Sequence, residues 1–506
     1  MAIPNVKVNV GEQTLVSSNT LVPFVPAVLL KTKSGPIGEI TEITSESQFV
    51  SIFGESDITT PAAYALQRYL RTYSYVLVTR LANTSNAAKA QGTATFTNES
   101  DTIELFKATT EYKTDLFNLK EIKLVYNSET GKIWLDVSSL AGKTAISIKE
   151  DITPDTVKAA VYDDDNNLIG GLEFILNKLI TSVNAMNLGI IFENKFVNKT
   201  TNDPVPSVAQ FTTGFTATMS GGDSGNTTPL TTAKVQEAIE LYNSQDTGLD
   251  VMVIPEYTNY EVVNYAEDLA DKNNFVVLVA PGGDSISTLT SNISNYNIGT
   301  RGSLALYYPN VYYSGFEAEI PASMAVLHTY AKSDVSAKWC APAGVARGTL
   351  NLVNRLAVNL TTTEMETLYD AARPVNCINN ISGKGFVVWG NKSFSSDSSF
   401  FDRLNVARLV KYITKEVYNL SYDYLFEPIT STTFTDWEMR VEDVLDNIKL
   451  NAGLDDYVVI MDSTINTEAT IAKNELNGII KIKPLEVAEF ITIDLTVTDT
   501  ITVTVE

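Results

Sequence analysis

His328 is the only histidine in the 506-residue chain, so a Ser-His-Asp site would have to be built on it. It ends the apolar run Ala322-Ser323-Met324-Ala325-Val326-Leu327-His328, and no G-x-S-x-G elbow precedes it. Packing, not proton transfer, is its expected role. One histidine also excludes a multi-His metal centre. Gly385 to Gly390 has the glycine spacing of a phosphate loop, but Asn391 stands where lysine is required. The intervening Phe386-Val387-Val388-Trp389 reads as a strand. Gly221-Gly222-Asp223-Ser224-Gly225 has no strand leading directly into it and reads as a turn. Asp163-Asp164-Asp165 lacks the spacing and terminal Glu of a calcium loop and reads as a solvated turn. Cys340 and Cys377 have neither redox nor metal spacing. No catalytic residue, metal ligand or cofactor is expected.

One charged pattern has no such simple reading. Arg408, Lys411 and Lys415 are spaced i, i+3, i+7 and share one face of a helix expected over 401–419, while Leu404, Ala407, Val410 and Ile413 form its apolar stripe. The chain carries 60 acidic against 37 basic residues, a net charge of −23. A cationic face in such a chain either pairs with its own carboxylates or docks on an acidic partner. The same net charge repels nucleic acid and anionic lipid, so no direct contact with either is expected. The start of the chain has no charged leader followed by an apolar core, and no stretch reaches the ~18 apolar residues of a membrane span. With 44% hydrophobic and 19% charged residues, a large core is available.

Length alone suggests about three domains, and the elements divide the chain further. Residues 21–91 read as strand, strand, helix, strand, with Pro61 opening the helix. Residues 92–215 turn rich in Thr, Asn, Asp and Lys, with short alternating runs and one helix near 171–186, and read as an inserted, mainly β domain that protrudes. From 216 to 374 strands alternate with helices, the rhythm of a parallel or mixed sheet. Residues 375–489 read as a C-terminal inner domain with two long helices. The expected fold is therefore mixed α+β and α/β, multidomain, with β-arms at 1–20 and 490–506.

The arms carry the strongest period-two signal. Val6, Val8 and Val10 share one parity near the N-terminus. Ile491, Ile493, Leu495, Val497, Ile501, Val503 and Val505 do so in the tail, with Thr on most even positions and Asp499 breaking the run. A terminal strand must satisfy its backbone edge and apolar face. It can do this within its own domain, or by adding to a neighbouring subunit's sheet edge.

Ordered motifs in the second half resemble the contractile-tail sheath proteins of bacteriophages and related injection systems. They are Ser220-Gly221-Gly222-Asp223-Ser224-Gly225, Pro321-Ala322-Ser323 through Asp334, Trp339-Cys340-Ala341-Pro342-Ala343-Gly344, Asn376-Cys377-Ile378, Gly385-Phe386-Val387-Val388-Trp389-Gly390-Asn391-Lys392, Phe426-Glu427-Pro428, Asn466-Thr467 and Ala488-Glu489-Phe490-Ile491. Gly35-Pro36 and Phe49 through Gly54 fit the same pattern near the start. Departures are Thr430 and Ser431 after Glu427-Pro428, the 92–210 insertion, and the tail beyond Ile491.

The resemblance implies a non-enzymatic structural subunit that stacks with itself as hexameric rings around an inner tail tube protein, exchanges its arms with neighbours, and contracts to drive the tube through a cell envelope. It also implies baseplate and tail terminator proteins as partners, a place in the virion tail after assembly in the bacterial host cytoplasm, and the tube as the acidic surface for Arg408, Lys411 and Lys415. Two other classes stay open from the residues alone: an α/β hydrolase-like enzyme with a carboxylate-based site, and a non-contractile surface or fibre protein.

Overall fold

The computed structural model describes residues 24–99, 101–127, 132–138, 146–147, 157–244, 248–395 and 400–489. Both expected arms, with Val6, Val8, Val10 and the tail positions from Ile491 to Val505, lie outside them. The described chain forms two compact units, one of residues 24–332 and 342–404, the other of Ser333–Ala341 together with the chain from Asn405.

The larger unit is built on an eight-stranded sheet. Across it run Gly385–Trp389, Asn376–Ile381, Leu304–Tyr308, Val276–Val279, Val251–Val253, Pro26–Leu30, Val76–Arg80 and Ile40–Ile43. The six central strands are parallel, and the two edges are antiparallel. Parallel strands are covered on both faces, which is why these segments are continuous apolar runs. Successive residues serve opposite layers. Val28, Leu30, Val251, Val253 and Leu278 join one core, with the helices Pro61–Tyr69 and Ala322–Ser336. Ala27, Leu29, Met252, Val277 and Val279 join the other, with Thr232–Glu240, Tyr260–Asn273 and Ile286–Ile293.

The expected boundary at 375 is corrected by this sheet. Asn376–Ile381 pairs in parallel with Leu304–Tyr308 through Tyr307↔Asn376 and Tyr308↔Cys377, so this hairpin belongs to the larger unit. The second unit takes up the C-terminal chain only at Asn405.

The insertion has its own core, in which Phe96, Phe106, Leu124, Phe192, Phe196 and Phe215 are buried with Leu176 and Leu179 of the helix Leu172–Asn184. One sheet pairs Gln91–Asn98, Asp101–Thr110 and Ile190–Asn194. The other pairs Phe215–Thr218, Glu121–Asn127, Lys132–Asp136 and Ile146–Ser147. Its root is closed by Arg80, fully buried at the end of its strand. The guanidinium donates to the carbonyls of Gly35 (2.7 Å), Lys113 (2.9 Å) and Ser224 (2.6 Å). Close by, the Asn118 amide binds both backbone groups of Gly222, at 2.8 and 2.9 Å. A Cβ on Gly222 would lie 2.1 Å from the Thr114 carbonyl oxygen, so only glycine fits.

The second unit packs the helices Leu404–Tyr422 and Ser431–Leu450 beneath the antiparallel pair Leu454–Ile460 and Ile479–Pro484. Leu409, Ile413, Val417, Leu420, Trp437, Val441, Leu445 and Ile448 form its core, the i, i+4 spacing that puts one stripe of each helix inside.

Candidate assembly surfaces

The conventional chemical candidates resolve into structure. His328 lies edge-on to Tyr69 (5.3 Å) and Tyr73 (6.0 Å). Its Nε2 has no hydrogen-bond partner, and burial pushes its pKa down to about 4. A neutral ring without a proton partner is core packing. Burial likewise raises the Cys377 thiol to about 12. The Asp163 carboxylate accepts the N–H groups of Asp165 (3.0 Å) and Asn167 (2.8 Å) and the Asn167 amide (3.0 Å), which close its own turn and hold its pKa low. Gly221 and Gly225 take φ of 74° and 75° in their turn, and Gly385–Trp389 is a strand. Among the described residues there is no group of three or more His, Cys, Asp or Glu able to hold a metal, and no helix is long and apolar enough to cross a membrane.

In open α/β sheets, ligands sit at the carboxyl ends of the strands where strand order reverses. Here that place lies between Pro26–Leu30 and Val251–Val253, and beyond these ends stand Lys31 and Glu256. Burial dominates at Glu256, overriding Lys31 and the backbone N–H groups, and pushes the carboxyl up to about 8. Its Oε2 is sealed from solvent without a partner. The Lys31 ammonium lies 5.6 Å over the Tyr257 ring. A lone carboxyl kept neutral is not an acid–base pair, so this crevice gives the hydrolase reading no support.

The cationic helix face divides. Arg408 and Lys411 are each 7% exposed, whereas Lys415 is half-buried. The Arg408 guanidinium pairs with the Asp334 carboxylate and donates to the Cys340 carbonyl (3.0 Å). Lys338 reaches the second oxygen of Asp334 at 3.1 Å. The Ser333 hydroxyl donates to the Cys340 carbonyl at 2.7 Å. For Arg408 the pairing is therefore with the chain's own carboxylate, and its charge is not presented to a partner.

This network threads Ser333–Ala341 into the second unit, and Trp339 completes it. The indole N–H donates to the Asn451 carbonyl (3.0 Å), its ring lies 5.8 Å from that of Tyr412, and Gly453 leaves it room. No local signal pairs Asp334 with Arg408, 74 positions apart.

The strand pair of the second unit is locked to the helix below it. Tyr457 donates to Asp446 (2.6 Å), Lys449 pairs with Asp456 (2.8 Å), and the Met461 N–H donates to Glu438 (2.5 Å). Lys483 pairs with Asp455 across the strands at 2.5 Å.

No family model matches the chain. Part of it is similar to curated tail sheath proteins. Identity is 34% over 33% of this chain with that of Vibrio phage KVP40, and 30% over 37% with that of Enterobacteria phage T4. Those matches span 24% and 28% of the relatives' own length. The fold is similar over nearly the whole chain to solved sheaths. The PVC sheath of an extracellular contractile injection system, in its contracted state, aligns over 98% of both chains with a TM-score of 0.55 at 14% identity. The sheath tail protein of Desulfitobacterium hafniense aligns over 94% of this chain and 100% of its own, with a TM-score of 0.55 at 11% identity. The mixed α/β, multi-sheet architecture expected from the sequence is thus the architecture of sheath proteins.

Proposed function

We propose that this chain is the repeating subunit of a contractile tail sheath and acts mechanically, without catalysis. The observation that supports it most is the conjunction of tail sheath relatives over a third of the sequence with a sheath fold over nearly all of it. The subunits would stack as hexameric rings around an inner tube, join a baseplate at one end and a terminator at the other, and sit in the virion tail after assembly in the host cytoplasm. Shortening of the stack would drive the tube through the target envelope.

Arms 1–20 and 490–506 would exchange strands between subunits, with Val6, Val8 and Val10 at one end and Ile491, Ile493, Leu495, Val497, Ile501, Val503 and Val505 at the other giving each arm its apolar face. Of the three cations, Lys415 is the one most exposed to an acidic tube. Lys411 is buried beside it, and Arg408 stays with Asp334.

Negative-stain microscopy of the purified chain tests this. Rings or tubes are expected from the full chain, and folded single particles from a variant lacking 490–506. Discrete particles from the full chain under all assembly conditions would overturn the sheath reading. Long tubes from the truncated chain would overturn arm exchange alone.

A further inference from the structure

A protein that assembles by adding strands to sheet edges must also keep strands off its other edges. Two edges in the larger unit are occupied by side-chain amides rather than by strands. In the insertion, Ile190–Asn194 is an outer strand of its three-stranded sheet. The N–H of Phe192 donates to Asn184 Oδ1 (2.8 Å), and the Phe192 carbonyl accepts from Asn184 Nδ2 (2.9 Å). Exchange of both bonds with one residue is the pattern of a hydrogen-bonded antiparallel pair. Asn184, the last residue of its helix, therefore stands where one residue of an added antiparallel strand would.

In the eight-stranded sheet, Ile40–Ile43 is an outer strand. There the Glu42 carbonyl accepts from Gln48 Nε2 (3.1 Å), and the Thr44 N–H donates to Gln48 Oε1 (2.8 Å). Bonds to residues on either side of Ile43 are the slanted pattern of parallel pairing. Gln48 thus imitates one residue of a parallel strand.

We propose that Asn184 and Gln48 are edge guards, which fill the backbone groups a stray arm would use and so confine strand exchange to other edges. Confinement of arms rests on the sheath reading; the blocking of these two edges does not. Side-chain amides make the same two-bond contact away from sheet edges, at Asn118–Gly222, Asn376–Lys392 and Asn466–Asn477. What marks Asn184 and Gln48 is their place on outer strands, where they reproduce the two opposite strand geometries.

The test uses the full chain and a photo-crosslinkable synthetic peptide with the sequence of 489–506. With wild type, cross-links to 190–194 and 40–44 are expected at background. In Asn184→Ala, yield at 190–194 should rise by about tenfold or more, the factor that two freed backbone groups carry. Gln48→Ala should do the same at 40–44. Asn184→Asp, which keeps the acceptor and loses the donor, should fall between. Circular dichroism and exchange at 101–110 confirm folding. Folded alanine variants whose yields stay at background would overturn the proposal, and so would equal yields from wild type. If Asn184→Ala does not fold, Gln48→Ala and Asn184→Asp decide by the same readout. Absence of peptide binding anywhere on wild type would count against arm exchange while leaving the guard comparison intact.

Discussion

Replacing Arg408 by Ala removes one partner of an ion pair whose side chains are only 6% and 4% exposed. Breaking such a pair costs about 3–5 kcal/mol, because the remaining charge stays buried. Lys338 remains 3.1 Å from Asp334, itself 12% exposed, so the low end, about 3 kcal/mol, applies. The loss should appear first as local opening of Ser333–Ala341, since Arg408 binds that segment at Asp334 and at the Cys340 carbonyl. At 1.36 kcal/mol per decade, amide exchange there should accelerate by about a hundredfold. The reporters are the Ala337 N–H bonded to Ser333 (3.0 Å) and the Cys340 N–H bonded to Ala337 (3.1 Å). Strand amides at 276–279 should keep their rates. Lys338→Ala should have a smaller effect, below tenfold. A change at 337 and 340 of less than threefold in Arg408→Ala would refute the view that this pair holds the segment, and equal acceleration at 276–279 would mean global unfolding instead.

Two other outcomes follow from buried groups. Glu256 is protonated in the fold up to about pH 8 and ionises near 4.5 when unfolded, so the native state binds the extra proton between those values. Stability is therefore lost as pH rises from about 4.5 to 8, by up to about 3 kcal/mol at pH 7. Glu256→Gln should flatten the fall in melting temperature between pH 5 and 8; curves parallel to wild type would contradict this. Gly222→Ala should destabilise the insertion by about 2 kcal/mol or more through the Thr114 clash, seen as faster exchange at 91–98 and 215–218, and unchanged exchange would disprove it.

Much of the fold is legible where burial is one-sided or complete over a short run. Gly385–Trp389 reads as a strand from its own residues, and so do the alternating runs that become Glu121–Asn127 and Lys132–Asp136. The helix Ala322–Ser336 is not legible, because Ala322 through Leu327, Thr329 and Tyr330 are all buried and burial all round erases the amphipathic period. Glu46–Phe53 escapes for another reason. It is only eight residues long, and its signals are Ser45 capping Gln48 and the single i, i+4 pair Phe49 and Phe53, too few turns to establish a period. The cationic helix is legible as a pattern but not as a role. What decides it is Asp334, brought to Arg408 by a chain crossing that no local spacing encodes.

The arginine at the root of the insertion has a consequence for how such proteins diversify. Arg80 recognises carbonyl oxygens at 35, 113 and 224 and no side chain among them. The joint is therefore indifferent to most of the sequence it holds. A domain of unrelated surface, size or binding preference can replace the residues that follow Arg80 up to Ser224, provided it returns two carbonyls to the guanidinium and a glycine packs against the carbonyl that Thr114 supplies here. That domain can then change rapidly while the eight-stranded sheet keeps one geometry. For the engineer, the same joint is a splice site for carrying foreign domains on this sheet.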